Sequence, residues 1–217
     1  MKNPTPFGIF RTLNDLFDFC FRFVMMMTHY NIIQNILKHV TLEQDEIGHI
    51  LKVVRPKKLP KNEFLLKKND VCKFYSYVNS GCMRVYTIDE NGFERITFFA
   101  PEDWWAVDLK SFIGQVPSRY FIDAMEDSEV LLIHKNDFDN LLEKIPQLEK
   151  WFRILLQNAL IATENRVEYE LTLKAEERYQ KFLLKYPDLE QRIAQRQIAS
   201  YLGITPEFLS MLRKRRR

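Results

Sequence analysis

Apolar residues recur every three or four positions from Ile32 to Val54, a spacing that predicts two short helices, with Thr41 and Gln44 three residues apart as a capping pair. Pro56 and Pro60 break that rhythm. The next segment, KFYSYVNSGCMRVYTIDENGFERITFFAPEDWW, is rich in aromatic and β-branched residues that alternate in places, which predicts a β-meander turning at Asn79-Ser80-Gly81 and at Asn91-Gly92, the latter suited to a tight primed turn. Two more strands, SRYFIDAM and SEVLLIH, flank the acidic turn Glu126-Asp127. The helical period returns at Lys135, is interrupted at Pro146 and then runs unbroken to Leu171.

On that long helix Phe152, Leu155, Ala159 and Ala162 fall at alternating spacings of three and four, with Leu148 one turn earlier. Such a seam serves either to pack on its own β-domain or to pair with a second helix, and Trp151, Leu156 and Leu160 widen it. Residues 172–217 read as a separate all-helical unit: AEERYQKFLLKYP, IAQRQIASYL, a turn at Gly203, then PEFLSMLRKRR with Thr205 as cap and Pro206 at the first helical position.

The formal net charge of +3 conceals an uneven distribution: residues 174–217 carry a balance of +6, and residues 1–173 carry −3. A basic end favours a polyanionic partner. Three cysteines, Cys20, Cys72 and Cys82, lack the spacing of a metal site and fit a reducing cytoplasm, and the four histidines stand singly. No nucleophile–base pair or metal cluster stands out, so an enzyme is the weakest reading and neither a cofactor nor a metal is expected. Phe7 to Met27 is apolar, but Arg11, Asp15, Asp18 and Arg22 interrupt it short of the roughly 18 residues that span a bilayer, so no membrane partner is expected. Translation is expected to start at Met25, Met26 or Met27, leaving residues 1–27 as a non-native or disordered leader.

In QIASYLGITPEFLSML, Ala199 permits close packing, Gly203 makes a sharp turn, and Ile204, Leu209 and Leu212 hold the second helix to the first. As a DNA reader, this hairpin would direct the N-terminal end of its second helix into the major groove. Glu207 could accept from a cytosine amino group and Phe208 could meet a thymine methyl, while Thr205 and Ser210 are phosphate or base contacts. Gln195, Arg196 and Gln197 should meet phosphates, with Arg213, Lys214 and Arg215 as the electrostatic part.

The order of β-meander, long helix and C-terminal helix-turn-helix resembles the Crp/Fnr family of transcription regulators over residues 28–217. Phrases such as SGCMRVYTIDENG, FAPEDWW, FRILLQNAL, AEERY and QIASYLGITPEFLS are similar to a branch common in Bacteroidetes. The resemblance implies an α+β chain divided into a double-stranded β-roll like a cyclic-nucleotide-binding jelly roll (28–145), a dimerisation helix (146–171) and a helix-turn-helix domain (172–217) whose wing is short or absent. The partners it implies are double-stranded DNA, a second copy of the chain, RNA polymerase and an unidentified small-molecule effector.

Family members that bind cyclic AMP carry a Gly-Glu-Leu segment and a later Arg-Ser or Arg-Thr pair. Here Ala106, Val107 and Asp108 stand at the first, and Ser118 stands where the arginine belongs, with Arg119 one residue late. If Tyr120, Ile122 and Ala124 face inward, Arg119 points to solvent beside Asp123. The pocket would then lack its charge for a phosphate, and another ligand could stack on Trp104 or Trp105, unless both are ordinary core. Phe208 and Met211 depart from the small polar residue and arginine usual in the family's reading helix, which leaves a second reading: a β-roll sensor acting through protein contacts, with a degenerate DNA-binding domain.

Overall fold

The computed structural model describes residues 31–216. The expected start of translation and the leader therefore lie outside the described residues, as do Cys20 and His29. Residues 31–37 form helix α1, whose Ile32, Ile33 and Ile36 are buried. Helix α2 (Gln44–Val53) is capped by Glu43, which forms a capping box with Glu46. The expected Thr41–Gln44 cap is thus corrected by two residues, since a longer acidic side chain can close the same box.

Among the described residues, eight strands make two four-stranded antiparallel sheets. The first has the order β1 (Arg55–Leu59), β8 (Ser128–His134), β3 (Phe74–Ser80), β6 (Trp105–Ala106). The second has the order β2 (Phe64–Leu66), β7 (Phe121–Ala124), β4 (Met83–Ile88), β5 (Glu94–Ala100). The expected meander is therefore a roll: β3 and β4, adjacent in sequence, belong to different sheets. The chain changes sheets at Gly81 (φ +85°), where an added Cβ would lie 2.3 Å from Ser128 Oγ and 2.8 Å from the Asp127 carbonyl, so only glycine closes this corner. Between β4 and β5 the connection is longer than the expected two-residue turn. Asp89 accepts from the amides of Asn91 and Phe93 at 3.0 and 2.9 Å, and its own amide bonds the Phe93 carbonyl.

Between the sheets lies a core that includes Val78, Met83, Val85, Ile122 and Val130. Short helix α3 (Leu109–Gly114) crosses one end of it. Helices α4 (Lys135–Lys144) and α5 (Pro146–Thr172) cover the first sheet, Tyr75 meeting the rings of Phe138, Trp151 and Phe152. His134 caps α4 by accepting from the Asn136 amide at 3.3 Å, an ordinary structural task.

The outer face of the second sheet is a second core. A bulge opposes Val85 to Phe98 but Tyr86 to Ile96, leaving Thr97 without a pair and turning both Ile96 and Phe99 outward. Onto them pack α6 (Ala175–Lys185), α7 (Leu189–Arg192), α8 (Gln195–Leu202) and α9 (Pro206–Arg216), so that Phe182, Tyr186, Ile198 and Leu209 share one buried cluster with Cys82, Tyr86, Ile96 and Phe99. The helices read from the sequence as a separate unit are thereby completed by the roll.

Candidate nucleic-acid interface and effector region

Helices α8 and α9 form the tight hairpin that the sequence predicts. Gly203 ends α8 in the left-handed region (φ +67°), and the Ile204 amide bonds the Ala199 carbonyl at 3.0 Å. Thr205 Oγ1 accepts from the Phe208 amide at 3.2 Å, capping α9, and Gln195 Nε2 donates to the Pro206 carbonyl at 3.0 Å. Leu209 and Leu212 are buried, which fixes the rotation of α9 and leaves Thr205, Glu207 and Phe208 exposed at its start. Arg196, Lys214 and Arg215 are exposed as well, whereas Ser210 and Met211 are half-buried.

Two of the expected DNA contacts are engaged within the chain. Gln197 is only 5% exposed, and its Oε1 accepts from Arg84 Nη1 at 2.7 Å, so this amide is used within the chain. Arg213 pairs with Glu190 at 3.0 Å, which holds α9 to the helices beneath it.

Arg84, which the sequence reading passes over, is the centre of the joint between roll and helices. Its Nε and Nη2 grip Asp123 at 2.7 and 2.9 Å, both terminal nitrogens reach Glu94, and the guanidinium lies 4.1 Å from the centroid of the Tyr86 ring. Burial disfavours the charge of Arg84, but Asp123 and Glu94 outweigh it and raise its pKa. Asp123 is 3% exposed, so its expected place in solvent beside Arg119 is corrected. Arg119 is exposed and donates to the Tyr120 hydroxyl at 3.1 Å. The signal available beforehand was the strand pattern: Met83 and Val85 face the inner core, so Arg84 and Tyr86 must face outward, where a buried partner layer covers them.

Further ties cross the joint. Arg192 donates to both carboxylate oxygens of Glu102 at 2.9 and 2.7 Å and also reaches Glu126. Ser200 Oγ donates to the Glu94 carbonyl at 2.5 Å, and Arg166 on α5 reaches the Ile96 carbonyl at 2.9 Å.

Inside the roll, a cavity of about 460 Å³ is lined by residues that include Ser76, Ala106, Asp70, Cys72 and Ile122. Of the expected effector-pocket residues only Ala106 borders it. Asp108 caps α3, its Oδ1 accepting from the Ser111 amide at 3.2 Å and its Oδ2 from Ser118 Oγ at 2.7 Å, and both Asp108 and Ser118 are buried. Trp105 packs 4.7 Å from Tyr75 and donates to Asn35, and Trp104 lies 5.5 Å from Tyr186. Both indoles, like Val107 and Tyr120, are therefore partly buried against the core.

The expected seam on α5 divides in two. Leu148 is 2% exposed, and Phe152 and Leu155 pack on the inner core, so these three serve the protomer itself. Beyond them Ala159 and Ala162 are exposed, together with Leu160, Ile161, Val167 and Leu171, which the pattern of 152, 155, 159 and 162 leaves out. A face that turns by one residue where the roll ends accounts for the shift. Among the described residues, no helix is long and apolar enough to cross a membrane.

The cyclic nucleotide-binding domain family matches residues 56–145. The fumarate and nitrate reduction regulatory protein of Salmonella typhi is 30% identical over 189 residues, covering 79% of this chain and 73% of that protein, and its counterpart in Escherichia coli strain K12 gives the same values. Among solved structures, FixK2 from Bradyrhizobium japonicum superposes with a TM-score of 0.67 at 20% identity, covering 75% of this chain and 84% of that one. The c-di-GMP responsive global regulator CLP from Xanthomonas campestris gives 0.64 at 15% identity, covering 80% and 91%. A roll of two antiparallel sheets, a long helix leading from it and a capped helix-turn-helix thus coincide with the sequence match, and the chain belongs to the Crp/Fnr family of transcription regulators.

Proposed function

We propose that the chain is a homodimeric, sequence-specific DNA-binding regulator that reads base edges with the first turn of α9. Control comes from an effector held by the roll that is neither cyclic AMP nor cyclic GMP. The observation that supports the reading head is the division of α9, one face locked by Leu209 and Leu212 and the opposite N-terminal face, with Thr205, Glu207 and Phe208, standing clear. Arg196, Lys214 and Arg215 are exposed near it and supply the sequence-independent attraction to phosphates.

Selection of binding sites from random duplexes is expected to recover an approximate palindrome with half-sites about one helical turn apart. On that site Glu207→Ala should change the preferred base. Deleting Arg215, Arg216 and Arg217 should instead weaken all sequences alike and flatten the salt dependence by about 0.9 per lost phosphate contact. If both changes lower affinity uniformly, the specific-reader proposal fails. The second reading, a sensor with a degenerate DNA-binding domain, draws on exposed Phe208 and half-buried Met211, neither of which hydrogen-bonds a guanine edge. It predicts no enriched sequence in the same selection.

The exclusion of cyclic nucleotides rests on Asp108. Ser118, bonded to its carboxylate, stands where the family resemblance puts the phosphate-binding arginine, so a phosphate there would meet an anion in place of its cation. Calorimetry of the full chain should show no micromolar binding of cyclic AMP or cyclic GMP. Micromolar binding that Arg119→Ala abolishes would overturn this.

A further inference from the structure

A second cavity, of about 390 Å³, lies in the angle between α5, α6 and α8, outside the roll and on the other side of the joint from the cyclic-nucleotide-like pocket. Four cations, Arg166, Arg178, Lys181 and Lys185, line it, against the single carboxylate of Glu170. That carboxylate is already engaged by Arg166 Nε at 3.0 Å.

Both arginines are held by groups that fix their planes. Arg178 donates to the carbonyls of Leu173 and Leu202 at 2.9 and 3.2 Å, joining the end of α5 to the end of α8. Arg166 donates to the Ile96 carbonyl and has its guanidinium 4.6 Å from the centroid of the Tyr201 ring. Yet Arg166 Nη1 and Arg178 Nε are buried with no hydrogen-bond partner. A guanidinium cannot shed its proton to escape that cost, so both arginines keep their charge at the cavity wall.

Lys181 and Lys185, one helical turn apart on α6, add charge to the same wall, Lys181 Nζ lying 5.4 Å from the centroid of the Tyr169 ring and Lys185 Nζ 5.2 Å from that of Tyr186. Burial, and then the charge of Arg166, lower the pKa of Lys185, as expected where cations crowd without a counter-ion. Apart from Asn165, the remaining wall is apolar or aromatic, with Phe182, Leu202 and the ring of Tyr169. A concave site of this volume, apolar with a few convergent charges, fits a small ligand and not a DNA backbone.

We propose that this cavity binds a small organic phosphate, its phosphate held by Arg166, Arg178, Lys181 and Lys185 and its apolar part lying against Phe182 and Leu202. Since the walls come from the long helix, the first helix of the C-terminal unit and the first helix of the helix-turn-helix, the bound anion ties the DNA-reading end to α5. Its occupancy is then coupled to the position of that end. The site is separate from the reading head and from the roll pocket, so it stands whether or not those proposals hold.

The test is calorimetry of the full chain with pyrophosphate and with adenosine monophosphate. One site per chain is expected, weakened at least about tenfold in Lys181→Ala/Lys185→Ala, a loss of about 1.4 kcal/mol. It should be unchanged on deletion of Arg215, Arg216 and Arg217. Pyrophosphate should raise the Tm of the wild type and not of the double variant. Without anion, the double variant should melt no lower than the wild type, because like charges have been removed. Several outcomes would overturn the proposal: no binding of either probe at millimolar concentration, equal binding by the double variant, loss of binding with the tail, or a marked fall in the anion-free Tm. So would a double variant weakened only toward duplex DNA, which would make these lysines backbone contacts.

Discussion

Arg84→Met is expected to lower the unfolding free energy by about 3–5 kcal/mol, because it leaves the carboxylate of Asp123, 3% exposed, without its cation. The same change frees Gln197 and Glu94, so the helix-turn-helix loses its most central tie to the roll. Denaturation in urea, followed by tryptophan fluorescence, measures the loss. A companion variant, Arg84→Met/Asp123→Leu, should recover much of it, since replacing a whole buried pair by apolar residues is often close to neutral while removing one partner is not. A single variant within about 1 kcal/mol of the wild type would show that water reaches Asp123 and that the network is peripheral. Gln197→Ala should cost less, about 1.5–3 kcal/mol, as the loss of one charge-assisted hydrogen bond.

Leu160→Asp/Val167→Asp is expected to convert a dimer into a 26.1 kDa monomer, measured by light scattering after size exclusion. Both residues are more than half exposed in the protomer, at 59% and 52%, so the thermal unfolding of the protomer should change little. Affinity for a palindromic duplex should fall about 100-fold or more, since the second recognition helix no longer benefits from the first. Leu148→Ala supplies the contrast. It removes a side chain that is 2% exposed and should cost about 2–5 kcal/mol of stability, with the dimer contact itself untouched. A monomeric wild type would overturn the proposed dimer, and a double variant that remains dimeric would place the subunit contact elsewhere.

Much of the architecture is legible in the order of periods along the chain. Short helices, a strand-rich stretch, a long helix and a capped hairpin can each be told from local spacing, and Thr205, Pro206 and Gly203 mark the last of these by backbone chemistry that needs no distant partner. What local spacing cannot carry is which sheet a strand joins. Gly81 reads as a turn in either case, and only the close approach of Ser128, 47 residues away in sequence, makes it a corner between sheets. The same limit hides Arg84 and Asp123, whose meaning depends on α8 lying over β4 and β7. The alternation with Ile122 and Ala124 turns Asp123 outward, toward solvent as far as the strand alone can tell, and a cation more than three dozen residues upstream, covered by α8, makes that outward face buried. On α5 the three-and-four spacing is right as a helical face, but one spacing cannot tell where the roll stops covering it, so Leu148 and Leu160 look alike in sequence and differ completely in exposure.

The shared cluster of Cys82, Tyr86, Ile96 and Phe99 with Phe182, Ile198 and Leu209 bears on how such regulators diverge. A reading head whose underside is half of another element's core cannot be traded between relatives as a cassette. On the proposed reading, change of target sequence is free at the exposed Glu207 and Phe208, whereas change of the helices that carry them obliges the outer face of β4 and β5, with its bulge at Thr97, to change in step.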